Sequence, residues 1–420
     1  MNLLKKVVSF SLATAICLNF CACASKDKPI IPPGDVTTGE VTTTTVATTT
    51  EATTTTTETT TVTTPVTTTE VTTTAEPEPQ YVSATIICAG DNLIHRSIYN
   101  QAKRRAEYDG YDFSYVYAQV RHYIEEADFA ILNQETIVTD ELEPSDYPRF
   151  CSPADLGEYM IEIGFDAFSI SNNHILDRGE TGLEATLNFW DSHPEVIRYG
   201  AYRDAEDMNN IRTAEVNGIT FAFLGYMEHT NGLKLPEGSV YEITYLKELE
   251  LIEQQIKKAD EIADVVVVSP HFGKETTNRL TDNQINLTKM FVEWGADIII
   301  GTQPHTVQTM EYIDKPDGGK AFVFYCLGNF VSAQSYNLTL VGMLGQLTVT
   351  KELLSGEITI ENVKAIPIIT QYGYNYSDIH IVPYVNYTDE LLLAHGGENF
   401  TQKTIDHVLS FIPKEFLSIE

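Results

Sequence analysis

The chain has 420 residues, enough for one large domain or two of medium size. Its 59 acidic residues against 27 Lys and Arg leave a formal net charge of −32. That field excludes nucleic acid and anionic membrane surfaces as electrostatic partners, and a polyanionic ligand needs local help such as a bound cation.

Residues 1–23 have the form of an export signal, with Lys5-Lys6, an apolar run over residues 7–18 and then small residues. The run is too short and too poorly flanked for a stable membrane span. Phe20-Cys21-Ala22-Cys23 resembles a bacterial lipobox, so Cys23 is the expected lipidation point, with simple secretion as the alternative. Three of the six cysteines, Cys17, Cys21 and Cys23, belong to this signal. The others, Cys88, Cys151 and Cys326, read as buried hydrophobes rather than a disulfide framework or sulfur metal site.

Residues 24–80 form the expected linker, mostly Thr and ending in Glu76-Pro77-Glu78-Pro79. With no apolar face to bury, such a tract cannot offset its ordering entropy, and it reads as a disordered stalk. Fully extended, its Thr-rich part would reach on the order of 100 Å. Stalk and lipid together predict a working domain at the extracellular face of the bacterial membrane, attached through the lipid anchor alone.

From residue 81 onward, apolar strand-like runs repeatedly end in polar residues. Residues 82–88 run into Gly90-Asp91, and Asp91 is a candidate hard-cation ligand. His95, close by, is as suited to packing as to ligation. A helix is predicted over 115–127, and the strand at 129–132 ends in Asn133-Gln134-Glu135. There, alternation sends Asn133 and Glu135 to one side, one for metal and the other for substrate or for supporting a ligand. A helix over 156–163 precedes the buried run at 165–170, which stops at Asn172-Asn173-His174 before Asp177-Arg178-Gly179. In open α/β sheets the ligand sits beyond the carboxyl ends of the strands, so these amides and this imidazole point to a site. By themselves they are equally consistent with a turn.

Further along, a helix is expected over 181–190 and a hairpin over 212–216 and 219–224, turning at Asn217-Gly218. A long amphipathic helix over 245–263 feeds Val265-Val266-Val267-Val268-Ser269, a β-branched core strand that ends in Pro270-His271-Phe272-Gly273-Lys274-Glu275. A helix over 283–294 leads to the strand at 297–301 and then Gln303-Pro304-His305. Strands at 307–313 and 321–327 follow, the latter entering Gly328-Asn329-Phe330, and then antiparallel strands at 346–351 and 357–369 and a helix at 404–411. Carboxylate, amide oxygen and neutral imidazole at successive strand ends form the ligand set of a divalent Mn, Zn or Fe centre. A metal-free polar pocket for sugar or peptide is the competing reading.

Taken together, Gly90-Asp91, Asn133-Gln134-Glu135, Ser171-Asn172-Asn173-His174 with Asp177 and Gly179, His271 to Glu275, Gly301 to His305 with Gln308, and Leu327 to Phe330 resemble the CapA family of poly-γ-glutamate capsule-synthesis proteins. That family's domain is similar to calcineurin-like metallophosphoesterases. The resemblance implies an α/β/β/α sandwich of two mixed sheets flanked by helices over residues 81–385, followed by a C-terminal extension with a helix over 386–420. It implies metal ligands at Asp91, Glu135, Asn173, His271, His305 and Gln303. Catalytic groups are implied at His174, Asp177 and Glu275, with His174 as the acid, and substrate contacts at Asn133, Asn172 and Asn329. The implied partners are an anionic polymer such as poly-γ-glutamate and membrane synthase subunits. A metal-dependent hydrolase-like site, a non-catalytic polymer-binding scaffold and a phosphoesterase or nucleotidase all fit this pattern. Two departures argue against inferring a filled two-metal centre or broad phosphatase activity. Gln303 stands where family members commonly have a histidine, and the Asp-x-His pair that opens typical phosphoesterases is absent.

Overall fold

Strict alternation along the central strands builds two sheets around a shared core. In the strand Val265–His271, Val265 and Val267 join the core between the sheets, whereas Val266 and Val268 face the helices Leu249–Ile262 and Asp282–Trp294. The same division separates Phe221 and Phe223 from Ala222 and Leu224, and Phe322 and Phe324 from Val323 and Tyr325. Since successive side chains of a strand point to opposite faces, these runs are buried on both sides. A computed structural model describes residues 79–419; the expected signal peptide, Cys23 and the linker up to residue 78 lie outside the described residues.

The first sheet has eight strands. Across it lie Ser377–Pro383, Ile358–Gly373, Val341–Glu352, Tyr81–Asn92, Phe129–Asn133, Ala167–Ser169 and Ile197–Tyr199, with Asn329–Val331 also pairing to Tyr81–Asn92. Tyr81–Asn92 runs parallel to Phe129–Asn133 and antiparallel to Val341–Glu352, so the sheet is mixed. The second has six strands, ordered Met310–Asp314, Lys320–Phe324, Ile298–Ile300, Val265–His271, Ile219–Met227 and Arg212–Val216. Its central pairs are parallel and both edges antiparallel. The expected sandwich of two mixed sheets flanked by helices is therefore the observed architecture.

The two sheets are held face to face by aromatic contact and at one edge by charge. The Phe129 ring stacks on Phe221 and Phe223 at 6.4 and 5.4 Å, and the Tyr199 hydroxyl meets Ser269 Oγ at 2.8 Å. At the edge, Asp207 joins Arg198 of the first sheet to Arg212 of the second and also accepts the Arg203 N–H at 2.9 Å. Cys88, Cys151 and Cys326 are free and buried, so among the described residues packing rather than disulfides holds the fold.

Several elements depart from the sequence pattern. The predicted 115–127 helix is two short helices, Ser114–Tyr117 and Arg121–Glu125. The chain tightens between them through a Val120 N–H to Tyr117 carbonyl bond of 3.0 Å, while the Tyr117 hydroxyl is tied to Asn92 Oδ1 at 2.7 Å. The 245–263 helix begins only at Leu249, because Leu246 N–H bonds to the Met227 carbonyl and Glu248 closes a turn on Tyr245. A strand at Met310–Asp314 replaces the longer one predicted from 307, since Val307 and Gln308 are drawn across to Leu327 and Cys326. Toward the end, the helix Gln402–Leu409 buries Ile405 and Val408 in the shared core.

The edge clamp makes a pH-dependent contribution. Burial would raise the Asp207 carboxyl, but the Arg203 N–H and the Arg212 and Arg198 guanidinia outweigh it and hold its pKa at about 2, below the ordinary 3.8. A depressed carboxylate stabilises the fold above its unfolded pKa and loses that contribution as pH falls through the folded value. Discounted for solvent screening, the term is on the order of 1 kcal/mol. Denaturant melts between pH 5 and pH 2 are expected to show that slope in wild type and a shallower one in Asp207→Asn.

Candidate metal centre

The polar strand ends converge where the carboxyl ends of both sheets meet. Asp91 lies beside Asn133 on one neighbouring strand and Asn329 on the other. Gly90 makes this possible. A Cβ there would lie 1.9 Å from the Gly328 carbonyl oxygen, the same oxygen that accepts the Asp91 N–H at 3.0 Å. Asn133 Nδ2 donates to Asp91 Oδ1 at 2.7 Å, and His305 Nδ1 sits 2.8 Å from Asp91 Oδ2. Two residues beyond the end of its strand, Glu135 places one oxygen 3.5 Å from His271 Nε2 and the other 3.7 Å from His305 Nδ1. The His271 ring is oriented by Thr302 Oγ1, 2.9 Å from its Nδ1, which turns Nε2 toward Glu135.

Asp91, Glu135 and His305 therefore bring three ligand atoms within 4.8 Å of one another, all buried. Metal fit can be judged from what these atoms lack. Both Glu135 oxygens, His271 Nε2 and Asn173 Oδ1 are buried without a hydrogen-bond partner. Buried polar groups are nearly always paired, so a cluster of orphaned acceptors is a place for a cation. Electrostatics agree: burial, then the charges of Asp91, Glu275 and Asp177, push the Glu135 carboxyl well above its ordinary range, and burial pushes His271 well below its own. For His305, burial acts downward, yet the Asp91 hydrogen bond and charge prevail and raise it. Two carboxylates and imidazole nitrogen suit a divalent transition ion.

Backbone strain accompanies these ligands. Gln303 and His305 have φ of 97° and 58°, and Thr276 has 57°. Outside glycine such conformations cost roughly 1–3 kcal/mol each and cluster at functional sites.

An open cavity of about 740 Å³ lies in front of the cluster, lined by Asn173, His174, Asp177, Glu275 and His305 among others. His174 Nδ1 bonds to Asp177 Oδ2 at 2.7 Å, and that oxygen also accepts the Phe150 N–H at 2.6 Å. Glu275 is exposed and takes Gln303 Nε2 at 3.3 Å, so the Gln303 amide nitrogen faces a carboxylate. The remaining predicted amides have mixed surroundings. Asn172 uses both ends on the chain, donating to the Gln134 carbonyl and accepting the His174 N–H. Asn329 Nδ2 donates to Ser332, Gln334 and Thr339, leaving its buried Oδ1 unpaired. Asn133 Oδ1 is likewise buried and unpaired.

Residues 85–334 match the model of the family described as bacterial capsule synthesis protein PGA_cap. The chain belongs to that family. Within curated proteins it is 28% identical over 269 residues to the capsule biosynthesis protein CapA of Bacillus anthracis, covering 61% of each chain. It is 30% identical over 179 residues to the PGA biosynthesis protein CapA of Bacillus subtilis, covering 42% of this chain and 45% of that one. The chain thus aligns with less than two thirds of the length of either relative. In solved structures it is similar to a phosphatase from Mycoplasma pneumoniae at 15% identity and a TM-score of 0.43, over 68% of this chain and 94% of that one. The PGA_cap match ends before Tyr336 and Tyr376, which also line the cavity. Sequence patterning missed these two, and Tyr147 and Arg149 with them, because single residues on irregular loops carry no periodic signal.

Because burial and the neighbouring carboxylates raise the Glu135 carboxyl, proton and cation compete for it. Calorimetric titration of metal-free protein with Mn or Zn in buffers of different ionisation enthalpy is expected to show proton release and affinity that weakens as pH falls. Glu135→Gln should lower affinity by at least ~10-fold and abolish most of the proton release. His271→Ala and His305→Ala should likewise reduce metal content.

Proposed function

We propose that this PGA_cap protein acts outside the cell, tethered by lipid at Cys23, in the synthesis, export or attachment of an anionic capsule polymer such as poly-γ-glutamate, through a metal-dependent hydrolase-like site. The observation that carries the reading is the closed floor of Asp91, Glu135 and His305 beneath an open cavity whose wall holds the His174–Asp177 pair. The names of the Bacillus relatives supply the polymer class, and an anionic polymer would meet a strongly acidic chain only through local contacts.

Asp91, Glu135 and His305 would hold a divalent ion, with His271 and Asn173 as further candidate ligands. When bound, such an ion supplies Lewis-acid polarisation of a carbonyl or phosphoryl oxygen and acidifies water. The chain's own part is proton handling and positioning. Asp177 accepts from His174 Nδ1, which fixes the imidazole and leaves Nε2 as the nitrogen available to the cavity. As imidazolium, His174 can deliver that Nε2 proton to a departing amine or alkoxide, and Asp177 stabilises the charged ring. Phe150 holds Asp177 through its N–H and stands edge-on to His174 at 4.8 Å, limiting ring rotation.

Full-length protein loaded with Mn or Zn should shorten poly-γ-glutamate, read by size-exclusion chromatography, and His174→Ala should slow this by about 10²–10⁴-fold with metal content unchanged. Retained polymer binding without cleavage would replace the hydrolase reading with the scaffold. Turnover of an aryl phosphate that depends on His174, with the polymer untouched, would favour the phosphoesterase.

A further inference from the structure

The titratable side chains lining the cavity include three imidazoles, His95, His174 and His305, two carboxylates, Asp177 and Glu275, and one guanidinium, Arg149. Both carboxylates are engaged, Asp177 by His174 and the Phe150 N–H, Glu275 by the Gln303 amide. Arg149 is the one arginine that lines the cavity; Arg104, Arg178 and Arg279, which also make no ion pair among the described residues, do not line it. Arg96, Arg105, Arg121, Arg198, Arg203 and Arg212 each lie on a carboxylate. Among the described residues Arg149 makes no ion pair, although the chain carries 59 acidic side chains. It is exposed and faces the cavity with its charge uncompensated.

Its position is built rather than incidental. Arg149 N–H donates to the Asp146 carbonyl at 3.1 Å, and its own carbonyl accepts Ser145 Oγ at 2.7 Å. The next residue, Phe150, is buried, bonded through its N–H to Asp177, and edge-on to both His95 and His174 at 5.0 and 4.8 Å. The backbone that carries the guanidinium is thus bolted to the same Asp177 that orients His174. Its neighbours on the rim, Tyr147 and Tyr336, are exposed and uncharged.

We infer that Arg149 is the oxyanion-recognition residue of this cavity, gripping a carboxylate or phosphate of the ligand through its planar fork beside the His174–Asp177 pair. A guanidinium presents paired donors that match two oxygens of one anion, which a point charge does not. In an acidic chain this local charge supplies at the cavity the attraction that the overall field opposes. The inference rests on the proposed site only for where the ligand lies, and it deepens that reading by naming the chemistry the mouth selects.

The test is calorimetric binding to the full chain with three probes: a short γ-linked glutamate oligomer, the same oligomer with its carboxylates amidated, and inorganic phosphate. Arg149→Ala is expected to weaken the charged oligomer by about 10- to 100-fold and to flatten its salt dependence. The amidated oligomer, metal content and melting temperature should not change, and Arg149→Lys should recover only part of the loss. If instead phosphate alone depends on Arg149, the inference stands with phosphate as the oxyanion. Equal binding of both anions by wild type and Arg149→Ala overturns it, as does wild type that holds metal yet binds neither anion. A chain that holds no metal but still binds the oligomer through Arg149 overturns the metal-dependent reading and leaves this one intact.

Discussion

The burial of Asp91 and Glu135 together is the constraint on which the rest of the structure depends. Both carboxylates are fully enclosed, and no Lys or Arg among the described residues forms an ion pair with either; their close neighbours are His271, His305 and the Asn133 amide. Enclosed charge must be paired, protonated or matched by a metal, because the interior cannot replace water around it. Imidazoles satisfy this only in part, since burial itself drives His271 toward neutrality. The arrangement is therefore poised for a cation, and it exists because neither sheet can assemble it alone: Asp91 and Glu135 come from one, His271 and His305 from the other.

Bringing four strand ends to one point requires unusual backbone. Gly90 passes against the Gly328 carbonyl with no room for a side chain, and Gly301 passes equally close to the Tyr325 carbonyl. Gln303 and His305 adopt left-handed φ values that ordinary loops avoid. This local strain is offset by regular packing elsewhere. Alternating Val, Ile and Phe side chains fill both faces of the second sheet, and Phe129, Tyr199 and the Asp207 clamp keep it registered on the first.

The cavity is asymmetric in a chemically useful way. Its floor is closed and holds the ligand cluster, while its rim is open and carries an exposed Arg149, Glu275 and Tyr147. Between them stands His174, whose buried partner Asp177 is in turn held by Phe150. Floor, proton-handling pair and rim come from different stretches of sequence, so ligand recognition at the rim can vary while the floor stays as it is.

Much of this was legible in the sequence, for identifiable reasons. The Val265 to Val268 run, the apolar stretch before Asn172, and the Asn217-Gly218 turn are local signals: β-branched runs, burial on both faces and left-handed turn residues act within a few positions. The recurrence of Asp, Asn, Glu and His at strand ends likewise marked one site, since parallel strands deliver their carboxyl ends to the same side of a sheet. Other features were not local. The break between Tyr117 and Arg121 depends on a hydroxyl bond to Asn92, and the late start of the Leu249 helix depends on Met227. Tyr376, 200 positions or more from Asn173, reaches the cavity only because the short turn that carries it joins Ile358–Gly373 to Ser377–Pro383, which pair at the far side of the first sheet. The sequence by itself determined the strands, the core they bury and the stock of ligand side chains, because these follow from periodicity and residue chemistry. Only the tertiary structure decided which atoms are left without partners and which arginine lines the cavity without a carboxylate, because pairing is settled by contacts between residues far apart along the chain.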